Sequence, residues 1–231
     1  MTRAVLATIA AVVFVACVAV VGAGRTPAQS QDQQADLHRG EVIAAQGTAN
    51  VPACAQCHAF NGTSDSSGAF PRLTGQSAPY LARQIRDFAS STRDSAVMSP
   101  IATQLSAEDI DDVSAYYAAS VGPFPPLVGA DPALIEKGKK IARIGDAFRN
   151  IQACNNCHGP DGTGFPPQIP YLAGQYAPYI ELALHMWKED FRKNSPDVMA
   201  RLAKQLDDQD ITALAAYYQQ VRNAATADSA N

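Results

Sequence analysis

The apolar positions of this chain fall on helical faces, and the faces recur about a hundred residues apart. "ADLHRGEVIAAQG" and "PALIEKGKKIARIG" space their aliphatic residues at helical intervals and end on Gly47 and Gly145, residues suited to a left-handed C-cap. Pro79 and Pro178 fit the first turn of a second helix, where a missing N–H costs nothing. Ser106 with Asp109, and Asp207 in the other copy, can cap a last helix. That helix carries Ile110, Val113, Tyr116 and Tyr117 in one copy, and Ile211, Leu214, Tyr217 and Tyr218 in the other. The tyrosine pairs read as helix-packing residues. No alternating pattern of strand length occurs, so the expected fold class is all-α, in two similar domains.

The repeat extends through most of the chain. "RGEVIAAQG" at 39–47 resembles "KGKKIARIG" at 137–145, and "PRLTGQSAPYL" at 71–81 resembles "PYLAGQYAPYI" at 170–180. "MSPIATQLSAEDIDDVSAYYA" at 98–118 resembles "MARLAKQLDDQDITALAAYYQ" at 199–219. The Pro- and Gly-rich "SVGPFPPLVGADP" joins the copies. The reading is a first domain over 29–122, a linker over 123–132 and a second domain over 133–231. Two domains of this size hold little material for a core, so another source of apolar bulk is expected.

Residues 1–28 read as a targeting segment. Arg3 precedes an uncharged run from Ala4 to Gly24, after which the chain turns polar. The run lies between the apolar core of a signal peptide and the roughly 20 residues of a membrane-spanning helix. Either a cleaved signal or a retained anchor places the rest of the chain outside the cytoplasm, in the periplasm. Cys17 lies within the run as apolar filler. Charge is uneven: residues 26–125 hold five basic and ten acidic side chains, residues 126–231 eleven and twelve. That balance excludes the basic surface nucleic acid requires and suits an acidic half steering toward a basic partner.

Each copy contains Cys-x-x-Cys-His: Cys54, Cys57 and His58, then Cys154, Cys157 and His158. A zinc site lacks a second ligand pair within either copy. A thioredoxin-like motif needs a βαβ setting. A disulfide at this spacing closes a tiny loop and restrains little chain entropy. Covalent haem attachment is the specific meaning of the pattern: two thioethers fix the porphyrin and the histidine is an axial iron ligand. Two haem c groups would also supply the missing core. For the sixth ligand, Met98 and Met199 occupy equivalent repeat positions downstream of His58 and His158. Met186 and His185 lack such symmetry and read as packing residues, with His185 the alternative ligand; His38 reads as a surface residue.

With these motifs in view, the chain resembles the class I cytochromes c, and more closely the dihaem cytochrome c4 family, over about residues 36–222. The resemblance implies two cytochrome c folds packed as a pair. It implies that the carbonyls of Pro71 and Pro170 accept hydrogen bonds from the His58 and His158 rings, and that Gly40 and Gly138 let first and last helices cross closely. It implies an electron carrier rather than an enzyme, with a quinol-oxidising complex as donor and a terminal oxidase or reductase as acceptor. The alternative is a dihaem relay subunit of a membrane-associated dehydrogenase or oxidase complex. A vacant iron site for catalysis or gas sensing is disfavoured by the two well-placed methionines. Ala59 stands where the second copy has Gly159, and the middle helices differ, so unequal haem environments are expected.

Overall fold

The helices assemble in the order the repeat requires. The computed structural model describes residues 34–64, 68, 70–125, 129–195 and 198–222; the targeting segment and Cys17 lie outside them. The first half contains α1 (Leu37–Gln46), α2 (Ala55–His58), α3 (Ala78–Ala89), α4 (Met98–Ala102) and α5 (Ala107–Ala119). The second contains α6 (Pro132–Ile144), α7 (Asn155–His158), a 3-10 turn at Pro160–Gly162, α8 (Ala177–Lys188), α9 (Val198–Gln205) and α10 (Asp208–Gln220). No β-strand occurs among the described residues, only isolated bridges. The helix α6 already begins at Pro132, capped by the Asp131 side chain, so the last position of the expected linker belongs to a helix.

Caps fall where the sequence signals them. Asp36 accepts from the N–H groups of His38 and Arg39 at α1. Ser106–Asp109 and Asp207–Asp210 each close a full reciprocal capping box, at α5 and α10. Gly47 and Gly145 end α1 and α6 with φ of 77° and 78°, a conformation that favours glycine.

In each half the first helix packs on the last, α1 on α5 and α6 on α10. Gly40 and Gly138 make that approach possible. A Cβ at either position would overlap the main chain of the facing helix, at Asp112 or Ala213, and stand 2.9 Å from Tyr116 or Tyr217 Cβ. Ion pairs tie the same crossings. Arg39 reaches Glu108, Asp109 and Asp112, while Lys137 and Arg149 converge on Asp210 at 3.1 and 2.6 Å. Each half has its own apolar cluster, around Ile43, Leu81, Val113 and Tyr117, and around Ile141, Ile180, Leu184, Leu214 and Tyr218.

The halves are joined by polar contacts that follow an approximate two-fold symmetry. Gln175 accepts from the Arg72 N–H and donates to the Arg72 carbonyl, at 2.8 and 2.9 Å. Its repeat partner Gln76 makes the matching pair with the main chain of Tyr171, at 3.3 and 3.2 Å. Tyr171 and Tyr176 hydroxyls donate to the Thr74 and Thr63 carbonyls. Where the main-chain acceptor is buried, as at Arg72 and Thr74, the bond also removes the cost of an unmet polar atom.

Candidate functional site

The two Cys-x-x-Cys-His motifs fold into single helical turns. His58 N–H bonds the Cys54 carbonyl and His158 N–H the Cys154 carbonyl, both at 2.9 Å. A three-residue spacing on such a turn sets both cysteines on one face. Among the described residues Cys54, Cys57, Cys154 and Cys157 are all free thiols, so the small-loop disulfide is not formed.

Both histidines are buried. Their Nδ1 atoms lie 3.3 Å from the Pro71 carbonyl and 2.9 Å from the Pro170 carbonyl. A carbonyl only accepts, so Nδ1 carries the proton and Nε2 keeps its lone pair. Burial pushes both imidazoles below their ordinary pKa, against the opposing pull of the proline carbonyls. The rings are thus neutral at neutral pH and oriented as metal ligands usually are.

One continuous apolar cavity of about 520 Å³ receives these groups. Cys54, Cys57, His58 and Met98 line it from the first half; Cys154, Cys157, His158 and Met199 line it from the second. Met186 also lines it, from α8, whereas the neighbouring His185 does not. His38 is exposed and lies 3.6 Å from Glu41. The tyrosines do more than pack. Tyr116 and Tyr117 donate to the carbonyls of Phe60 and Ala59, at 2.8 and 3.3 Å, and Tyr217 and Tyr218 donate to Asp161 and Asn155, at 2.7 and 2.9 Å. They tie the last helix of each half to the loop that carries the motif. The only sequence signal for this role was the hydroxyl itself, which demands a partner when buried.

The residues present fit a covalently held haem. The cavity walls are apolar, paired thiols and an imidazole open into each half of it, and a thioether stands on the wall of each half. A zinc site does not fit. No group of three His, Cys, Asp or Glu side chains able to hold a metal ion occurs among the described residues. Before attachment, burial raises the free Cys54 and Cys154 thiols to about 11; once each is a thioether it no longer titrates.

Comparison with known proteins agrees with this chemistry. Residues 135–222 match the sequence family described as Cytochrome c, and residues 35–116 the family described as Cytochrome C oxidase, cbb3-type, subunit III. The chain is 38% identical over 191 residues to the thiosulfate dehydrogenase electron acceptor of Stutzerimonas stutzeri, covering 81% of this chain and 88% of that protein. It is 35% identical over 182 residues to cytochrome c4 of Pseudomonas aeruginosa, covering 76% and 87%. Among solved structures, reduced recombinant cytochrome c4 from Pseudomonas stutzeri superposes with a TM-score of 0.72 at 32% identity, covering 81% of this chain and all of that one. Thiosulfate dehydrogenase (TsdBA) from Marichromatium purpuratum superposes with a TM-score of 0.71 at 37% identity, covering 80% of this chain and 40% of that one.

Proposed function

Because this chain belongs to the cytochrome c4 family and carries two covalently bound haem c groups, we propose that it is a periplasmic electron carrier in which Cys54 and Cys57 would hold one haem, Cys154 and Cys157 the other, and His58 with Met98 and His158 with Met199 would ligate the irons. The observation that carries this reading is the single cavity into which all eight side chains open. When bound, each haem would supply one-electron redox chemistry. The residues of the chain supply the rest. Pro71 and Pro170 fix the tautomer and direction of the two imidazoles. The apolar wall excludes water, and thioether ligation favours the reduced state relative to more basic ligand pairs.

The domains span 29–122 and 133–231 about a 123–132 linker whose last residue, Pro132, is already the first of α6, and residues 1–28 act as a signal peptide or membrane anchor. No helix among the described residues is long and apolar enough to cross a membrane. Donor and acceptor are redox proteins: a quinol-oxidising complex and a terminal oxidase or reductase. A second reading is a relay subunit of a dehydrogenase complex. It is supported by the similarity to a thiosulfate dehydrogenase electron acceptor and to part of a thiosulfate dehydrogenase chain.

A pyridine haemochrome assay with an optical redox titration tests the reading. The expected result is two c-type haems per polypeptide, two centres with the near-infrared band of methionine-to-ferric ligation, and slow or absent carbon monoxide binding. Co-purification with a dehydrogenase would favour the relay subunit.

A further inference from the structure

The turn that leads into the second Cys-Cys-His motif puts apolar side chains into solvent. Between Gly145 and Cys154 the chain is two residues longer than between Gly47 and Cys54 in the first copy. The longer stretch forms a closed hairpin. Asp146 and Ile151 exchange both main-chain hydrogen bonds, each at 2.8 Å. Inside it, the Asp146 carboxylate accepts from the Phe148 and Arg149 N–H groups at 3.0 and 3.2 Å, and from Arg149 Nε at 2.8 Å. Arg149 in turn is tied to the buried Asp210. On this braced turn Phe148 is wholly exposed, and Ile144, at the end of α6, is 75% exposed.

Cations stand beside these two residues. Lys140 lies one turn before Arg143 and Ile144, so the three share one side of α6. Lys140 and Arg143 are exposed. Lys140 has no ion pair among the described residues, and Arg143 meets Asp161 only at 3.7 Å. Asp146 is already matched by Arg149, so the charge left to solvent beside Ile144 is positive. The first copy has Val42, Ala45 and Gln46 at the positions of Lys140, Arg143 and Ile144, and no aromatic residue between Gly47 and Cys54. The hairpin also runs directly into the candidate site: Ile151, Gln152 and Ala153 line the cavity that Cys154 and His158 enter.

We propose that Phe148 and Ile144, with Lys140 and Arg143 beside them, form the surface on which one redox partner docks against the second half, and that this partner presents an apolar depression rimmed by carboxylates. The proposal rests on the electron-carrier reading. Single exposed apolar residues are ordinary, but two held four residues apart on a braced turn are preorganised as interface anchors and lose little freedom on binding. A small interface of this kind suits the brief contacts of an electron carrier. The cations set the sign of the partner, because they favour carboxylates across the contact. A partner seated on Phe148 lies against the wall formed by Ile151 to Ala153, beside the second centre rather than the first. The first half, with its acidic surplus and no such turn, serves the other exchange partner. An anionic lipid surface shares part of this chemistry, but two side chains on a rigid turn offer little apolar area for insertion.

The test uses the holo-protein and membranes of its source organism, with F148S, I144S, K140E and R143E, and with L37S as a control at an exposed apolar residue of the first half. Stopped-flow spectroscopy follows reduction by quinol-charged membranes and oxidation by aerated membranes. Each of the four variants should slow one of the two exchanges about tenfold at low salt, the same one throughout. The other exchange, both potentials and the haem content should stay at wild-type values, and L37S should match the wild type. The affected wild-type exchange should slow as salt rises, and K140E should weaken or reverse that dependence. The proposal is overturned if F148S and K140E keep both wild-type rates, if both exchanges slow equally, or if the affected exchange speeds up with salt. Wild-type sedimentation with vesicles of phosphatidylglycerol and phosphatidylethanolamine, abolished in F148S, would overturn it in favour of a lipid surface. A wild type that exchanges electrons with neither membrane preparation would reject the electron-carrier reading; normal exchange indifferent to the variants would reject this surface alone.

Discussion

The side-chain amide of Gln175 closes on the main chain of Arg72, accepting from its N–H at 2.8 Å and donating to its carbonyl at 2.9 Å. All of these groups are buried and lie 103 residues apart in sequence. Gln175→Ala should therefore leave two buried main-chain groups unmet and cost about 1–3 kcal/mol. The loss should appear as a lower Tm and, if the halves uncouple, as two unfolding steps in calorimetry. Gln76→Ala should act similarly through Tyr171. An unchanged melting profile for both variants would show that other contacts carry the junction.

The axial assignment is separable by substitution. Met98→Ala and Met199→Ala should each retain both covalent haems and remove the near-infrared methionine band from one centre only. The potential of that centre should fall, because a thioether ligand raises it. Should Met199→Ala leave both centres spectroscopically intact, Met186, which lines the same cavity, takes the role.

Asp210 sets an acid limit on the second half. It is 0% exposed and held by Lys137 and Arg149 at 3.1 and 2.6 Å. Burial disfavours its charge, but the bonds from Arg149, Lys137 and the Asp207 main chain outweigh it and hold the carboxyl below its ordinary value of 3.8. A depressed carboxyl pKa contributes stability that is complete above the unfolded value and is lost as pH falls through the folded one. Asp210→Asn should thus cost about 1–3 kcal/mol at pH 7. The gap from wild type in thermal melts should narrow as pH falls below about 4, where the carboxyl of the unfolded chain takes up a proton that the folded one still resists. A gap that stays constant from pH 7 to pH 2 would contradict this assignment.

Backbone strain distinguishes the two motif loops. Ala59 follows His58 with φ 56° and ψ 162°, a region open essentially to glycine, and its counterpart Gly159 adopts φ 75° and ψ 169°. Ala59→Gly should stabilise the first half by up to about 1 kcal/mol. Gly159→Ala should destabilise the second by about 1–3 kcal/mol, since its Cβ would also meet Thr163 Oγ1 at 2.6 Å. Chemical denaturation of both variants reads the two signs directly.

Much of this architecture was legible in the chain, for reasons that differ by element. Helix ends at Gly47, Gly145, Ser106 and Asp207 are local chemistry, decided within a few residues. The Cys-Cys-His motifs were legible because few other functions use that spacing. The equivalence of Met98 and Met199 came from the repeat. The junction was not legible. Gln76, Gln175, Arg93 and Arg192 look like ordinary surface residues in sequence, and only the docking of distant segments buries them. The unequal surroundings expected from the divergent middle helices take concrete form here. Gln84 faces both arginines where the second copy has Ala183, and Asp87 stands where it has Met186. The tyrosine ties were half visible, as packing without the hydrogen bonds.

Many of the acceptors at the junction are peptide groups rather than side chains: Arg72 and Tyr171 through their main chain, Thr63 and Thr74 through their carbonyls. A peptide group is the same whatever residue bears it. The seam therefore tolerates mutational drift in the residues it grips, provided the gripping glutamines and tyrosines persist. Duplicated modules joined in this way can diverge in charge and in redox character without coming apart, and exchanging one half for that of a relative should yield a chimera that still docks.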